Sequence, residues 1–211
     1  MNTKCIIFDC DGVLVDTEKI GNGILLEMAA EHGFKMTIED AYRNFNGRKL
    51  KDCFLYIEEA IKKKLPESFE NEYRERSFEA FKTQVTPIEG VFEFIEKLEI
   101  PYCVASSGPV DKIRLNLKAV GLLDKFEGKI FSSYEIKSWK PDPELFLHAA
   151  KEMGFEVKDC IVVEDSKAGI MAAKSGGFRV YGFSNDYNSE DLEREGAILF
   201  SSYKELNGLL S

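Results

Sequence analysis

Residues 5–16, Cys-Ile-Ile-Phe-Asp-Cys-Asp-Gly-Val-Leu-Val-Asp, constrain this chain more than any other stretch. Four apolar residues, Cys5 to Phe8, run without a break into Asp9, and Asp11 and Gly12 follow at once. A run this short and this apolar suits a strand covered on both faces. Its C-terminal end delivers two carboxylates, Asp9 and Asp11, to one place, where burial without a neutralising partner is costly. A hard cation that prefers oxygen ligands, such as Mg²⁺, is the usual partner. A carboxylate beside such an ion can attack a phosphoryl group and carry it as an aspartyl phosphate. The plainer reading is a strand ending in a polar turn built on Asp-Gly.

Strand-like runs alternate with helix-like stretches through the rest of the chain, the pattern of an α/β protein with a parallel sheet. Strands are expected at 5–8, 102–105, 130–131, 160–163, 180–183 and 198–200, and helices at 91–98, 110–120, 143–153, 168–175 and 190–195. Gly121, Gly154 and Gly176 stand where helices stop, and Pro143 stands where a first helical residue belongs, with Asp142 before it as a cap. Residues from about 16 to 86 break the alternation. They offer no strand run and read as helices at 18–31, 38–45, 50–64 and 67–84. Ile24, Leu25, Met28 and Ala29 follow helical spacing, as do Phe54, Ile57 and Ile61, and later Tyr73, Phe78 and Phe81. Stripes of this kind are the packing faces of a small bundle. The expected organisation is therefore a Rossmann-like parallel-sheet core, residues 1–15 and 87–211, with an all-helical insertion over 16–86. Thr86-Pro87 is a plausible return hinge.

In an open parallel sheet ligands bind beyond the carboxyl ends of the strands. Three further strands end there in useful residues: Ser106-Ser107-Gly108, Lys140 in Ser-Trp-Lys-Pro-Asp-Pro, and Glu164-Asp165-Ser166. Asp9, Asp11, Glu164 and Asp165 carry −4 when all are ionised, and Lys140 with one Mg²⁺ returns +3. A protonated Asp11 would make the site neutral, and that is the state of a general acid aimed at a leaving oxygen. Each element also has a plainer reading. Ser106 could cap the following helix, Lys140 could be a surface lysine, and Glu164-Asp165 could cap the helix after it.

Composition excludes other classes. A net charge of −9 with no basic stripe argues against nucleic acid. No apolar run approaches the length of a membrane span, and Met1 to Lys4 lead straight into a strand with no signal peptide. Five cysteines without a Cys-x-x-Cys pair, and two histidines, make a zinc site improbable and fit a reduced cytoplasm. Cys10, between the aspartates, reads as packing.

With these residues in order, the chain resembles the haloacid dehalogenase superfamily of phosphohydrolases. Asp9-Cys10-Asp11-Gly12-Val13-Leu14-Val15-Asp16 is similar to the first motif of that family. Ser106 is similar to the second, Lys140 in Lys-Pro-Asp-Pro to the third, and Glu164-Asp165-Ser166 with Gly169 and Ala172-Ala173 to the fourth. The insertion resembles the helical cap of the beta-phosphoglucomutase-like and sugar-phosphate phosphatase branch. The resemblance implies Asp9 as nucleophile and metal ligand, and Asp11 as general acid, then base, lending the metal its backbone carbonyl. It implies Ser106 on the phosphoryl oxygens and Lys140 offsetting charge. Asp165 would ligate Mg²⁺, with Glu164 alongside or through water. Because Asp11 is present, dehalogenation is disfavoured. Mutases of this branch place an arginine where Leu50 stands and a histidine where Gly21 stands, so hydrolysis is expected, with a sugar phosphomutase as the alternative and a receiver-like signalling module behind it. Ser107, Gly108, Arg48 and Lys49 are candidate substrate contacts, the last two alternatively a solvated loop. The expected partner is a small phosphorylated metabolite, a sugar or sugar-acid phosphate, met in the cytoplasm by a monomer or weak homo-oligomer.

Overall fold

The structure is a computed structural model and describes residues 3–45, 48 and 50–210. Strand β1 (Cys5–Phe8) shows how the sequence builds the core. Its side chains alternate, so Ile6 and Phe8 enter one apolar cluster while Cys5 and Ile7 enter another on the opposite face. The chain then runs through β2 (Val15–Asp16), α1 (Glu18–Ala30), α2 (Ile38–Phe45), α3 (Leu50–Ile61), α4 (Phe69–Gln84) and β3 (Thr86–Pro87). After these come α5 (Val91–Lys97), β4 (Tyr102–Ser106), α6 (Val110–Ala119), α7 (Leu123–Phe126), β5 (Ile130–Ser132), α8 (Ser133–Ile136) and α9 (Glu144–Glu152). The last elements are β6 (Cys160–Glu164), α10 (Lys167–Ser175), β7 (Arg179–Phe183), α11 (Ser189–Arg194), β8 (Ile198–Phe200) and α12 (Tyr203–Leu210).

Six strands form one parallel sheet in the order β5-β4-β1-β6-β7-β8. The α/β parallel-sheet architecture read from the sequence is therefore the observed one. From β1 the chain steps to β4 and β5 on one side, then crosses to β6, β7 and β8 on the other. Such a reversal opens a crevice at the carboxyl ends of the central strands. β1 is completely buried between β4 and β6, which explains its unbroken apolar run.

α1 to α4 hold a separate hydrophobic cluster centred on Leu25, Met28, Phe45, Ile57 and Phe69. The chain leaves and rejoins the sheet through two short antiparallel strands, with Val15 opposite Pro87 and Asp16 opposite Thr86. The expected return hinge is thus half of a two-stranded ribbon.

Two local expectations need correction. α9 begins at Glu144, with Pro143 at its N-cap, and Asp142 instead donates its N–H to Trp139 O in a turn. α3 stops at Ile61, short of the expected 64, because Lys62 takes φ 54°. α10 stops at Gly176, its C-cap, as expected, and Gly177, at φ 83°, makes the left-handed turn that follows. No helix among the described residues is long and apolar enough to cross a membrane.

Candidate active site

The ends of β1, β4 and β6 bring Asp9, Ser106 and Glu164 to one edge of the sheet, and Lys140 arrives from the loop before α9. All four are buried and line one cavity of about 830 Å³, whose other wall comes from α1, α3 and α4. Lys140 Nζ donates to Asp9 Oδ1 at 2.5 Å and to Glu164 Oε1. Its ammonium also lies 4.9 Å from the centre of the Phe146 ring. Burial alone would lower the Lys140 pKa, but the Asp9 and Glu164 carboxylates hold it above the usual lysine range. Removing one member of such a buried network typically costs about 3–5 kcal/mol, because the others are left unpaired.

Asp9, Glu164 and Asp165 form a carboxylate cluster whose ligand atoms all lie within 4.8 Å of one another. Burial pushes Asp9 up to about 7, with Lys140 opposing and Glu164 reinforcing the shift. Burial pushes Asp165 well above the ordinary carboxylate range as well, and Glu164, Glu18 and Asp9 add to it. Two glycines make the crowding possible. A Cβ on Gly12, which sits at φ +78°, would overlap the Asp165 carboxylate, and a Cβ on Gly169 would overlap that of Glu164. Asn188 Nδ2 donates to the Asp165 backbone carbonyl at 2.8 Å and fixes that loop. Three crowded carboxylates beside a single ammonium are a donor set short of positive charge. All the donors are hard oxygens, so the residues fit a divalent cation of the Mg²⁺ type.

Asp11 faces elsewhere. Its Oδ1 accepts from Thr17 Oγ1 at 2.7 Å and Asn116 Nδ2 at 3.1 Å, and its Oδ2 accepts from Lys112 Nζ at 2.8 Å. Burial would raise its pKa, but Lys112 and Thr17 outweigh burial and hold Asp11 below the usual range. Lys112 and Thr17 therefore favour the ionised form of Asp11 before substrate arrives, not the protonated form that would make the site neutral. The charge balance closes another way, since Lys112 supplies a second ammonium. With one divalent cation, four ionised carboxylates are matched by equal positive charge. The Asp11 carboxylate lies outside the three-carboxylate cluster.

Ser106 does not cap α6, which begins four residues later behind Pro109. Its Oγ accepts from Gly108 N at 3.1 Å, while Ser132 Oγ donates to Gly108 O at 2.7 Å. Ser107 and Gly108 line the cavity, as does the exposed Arg48. Lys49 lies outside the described residues. Glu164 is heavily engaged, since Oε2 also accepts from Ser166 N at 2.8 Å and Ser166 Oγ at 2.9 Å.

Lys112 escaped the sequence reading. One signal could have found it. A lysine in the first turn of a helix opposes the helix dipole, and that points to a nearby acid.

The fold and the site together define a hydrolase of the haloacid dehalogenase class. That family is matched over residues 6–183 as "Haloacid dehalogenase-like hydrolase", and the chain belongs to it. The chain is 32% identical over 205 residues to the 6-phosphogluconate phosphatase of Escherichia coli K12, covering 96% of this chain and 92% of that one. It is 29% identical over 215 residues to a phosphorylated carbohydrates phosphatase of Thermotoga maritima, with 98% of each chain covered. A crystal structure of a conserved haloacid dehalogenase-like protein of unknown function from Agrobacterium tumefaciens superposes with a TM-score of 0.92 at 29% identity, covering 99% of this chain and 98% of that one.

Proposed function

We propose that this enzyme is a Mg²⁺-dependent phosphatase that hydrolyses a small phosphomonoester, a sugar or sugar-acid phosphate, through an aspartyl phosphate on Asp9. The observation that carries this reading is the buried Lys140–Asp9 contact at 2.5 Å, set in a carboxylate cluster with Glu164 and Asp165. The phosphatase relatives support the reaction, and their sugar-phosphate names support the substrate class. Residues 16–86 act as a cap that selects substrate and excludes water.

Asp9, Asp165 and the Asp11 backbone carbonyl would hold Mg²⁺, with Glu164 alongside or through water. The ion would offset charge on the phosphoryl group. Asp9 attacks phosphorus with a carboxylate oxygen, the bond from phosphorus to the leaving oxygen breaks, and Asp11 protonates that oxygen. As substrate binds, the phosphate dianion raises the Asp11 pKa against the hold of Lys112 and Thr17, and Asp11 takes up a proton from water before this step. Asp11, again a carboxylate, then takes a proton from water as the water attacks phosphorus and frees Asp9. Lys140 orients Asp9, and Ser106 with Gly108 binds the phosphoryl oxygens.

The test is phosphate release from sugar phosphates, sugar-acid phosphates, phosphoglycolate and nucleoside monophosphates, with Mg²⁺ and with EDTA. Magnesium-dependent release, strongest for a sugar or sugar-acid phosphate, is expected. An isomerised sugar phosphate without free phosphate would instead make the enzyme a phosphomutase, and silence across the set would contradict the reading.

A further inference from the structure

α1 and α4 pack together and both line the active-site cavity. Glu18 and Asn22 stand one turn apart on α1, Tyr73 and Ser77 one turn apart on α4, and all four border that cavity. Ser77 is only 4% exposed, and its Oγ meets no hydrogen-bond partner at bonding distance and angle, with the Tyr73 hydroxyl its polar neighbour. Two other buried side-chain oxygens among the described residues share this state, on Asn116 and Ser133, and neither residue lines the cavity. A buried hydroxyl without a partner costs stability on the scale of a lost hydrogen bond. A cavity wall is where a ligand can remove that cost.

We propose that Ser77, with Tyr73 beside it, is a specificity-determining pair that hydrogen-bonds a hydroxyl of a polyhydroxylated leaving group. The proposal rests on the phosphatase reading above and assigns the part of the wall that reads the sugar. Serine and tyrosine hydroxyls and the Asn22 amide each donate and accept, as a sugar hydroxyl does. Leu25, Phe78 and Phe81 border the same cavity and offer apolar surface to the C–H faces of a sugar. A second anion would be misplaced on this wall, because it would meet the Glu18 carboxyl. Burial, with Asp11 and Asp16, already pushes that group up to about 7.

The experiment compares wild type, Ser77→Ala and Tyr73→Phe. It measures kcat/KM for the better of glucose 6-phosphate and 6-phosphogluconate, divided by kcat/KM for p-nitrophenyl phosphate, whose leaving group has no sugar hydroxyl. Both variants are expected to lower this ratio, Ser77→Ala by about tenfold. The melting midpoint of ligand-free Ser77→Ala should equal or exceed that of wild type, because an unpartnered buried hydroxyl has gone. An unchanged ratio in both variants would overturn the proposal. So would a lowered midpoint with an unchanged ratio, which would make Ser77 and Tyr73 a structural contact only. Wild type that released phosphate from none of the three esters would overturn the phosphatase reading itself, and the proposal with it.

Discussion

Lys112 Nζ lies 2.8 Å from Asp11 Oδ2, joining α6 to the turn after β1 across 101 positions of sequence. The same ammonium sits 5.3 Å from the centre of the Phe81 ring on α4, so one lysine touches both the acid and the helical insertion. Lys112→Met removes the charge that holds the Asp11 pKa down, so Asp11 stays protonated to higher pH. In the proposed mechanism, breakdown of the phosphoenzyme needs Asp11 ionised. The acid-side fall of kcat should therefore move to higher pH by about 1–3 units. A kcat–pH profile with an unmoved acid limb would show that Lys112 does not govern Asp11.

Gly12 packs its backbone against the Asp165 carboxylate at φ +78°, where a side chain would be strained and would have no space. Gly12→Ala should displace Asp165 and weaken Mg²⁺ binding by about 10–100-fold, the scale seen when the support of a metal ligand is disturbed. The Mg²⁺ concentration giving half-maximal activity measures this. An unchanged value would place the metal away from Asp165.

Glu18 gives a stability prediction with a definite sign. An unfolded glutamate ionises near 4.5, whereas the folded protein keeps the Glu18 proton up to about 7. The folded state therefore binds more protons between these values, and stability falls as pH rises through that window. The loss is absent below pH 4.5 and complete above about 7. Glu18→Gln removes the ionisation, so its melting midpoint relative to wild type should be higher at pH 8 than at pH 5. An equal difference at both pH values would mean that Glu18 ionises normally in the folded protein.

Much of this was readable in the sequence, for identifiable reasons. All six sheet strands were expected within a residue at each end, because the central ones, buried on both faces, are continuously apolar and the edge strands are short apolar runs between helices. Asp9, Ser106 and Glu164 were placed together because parallel strands deliver their carboxyl ends to one edge. What escaped depends on tertiary contact. α7 and α8 are four residues long, too short to show a helical period, and α12 adds Leu206 and Tyr203 to a core already assigned to the strands. The charge of Asp11 depends on Lys112, Thr17 and Asn116, two of them about a hundred residues away. The unpartnered Ser77 hydroxyl is a property of packing between two helices, which no spacing rule reports.

The central claim is that Asp9 is the nucleophile of a magnesium-dependent phosphatase. The most direct measurement is phosphate release by wild type and Asp9→Asn, on the best sugar phosphate, with Mg²⁺ and with EDTA. Asp9→Asn keeps the size of the side chain and leaves Lys140 paired with Glu164, so it should fold. Release is expected from wild type only with Mg²⁺, with a loss of more than about a thousandfold in the variant, because an amide cannot attack phosphorus. Folded Asp9→Asn that kept a tenth of wild-type activity, or wild type indifferent to EDTA, would contradict it.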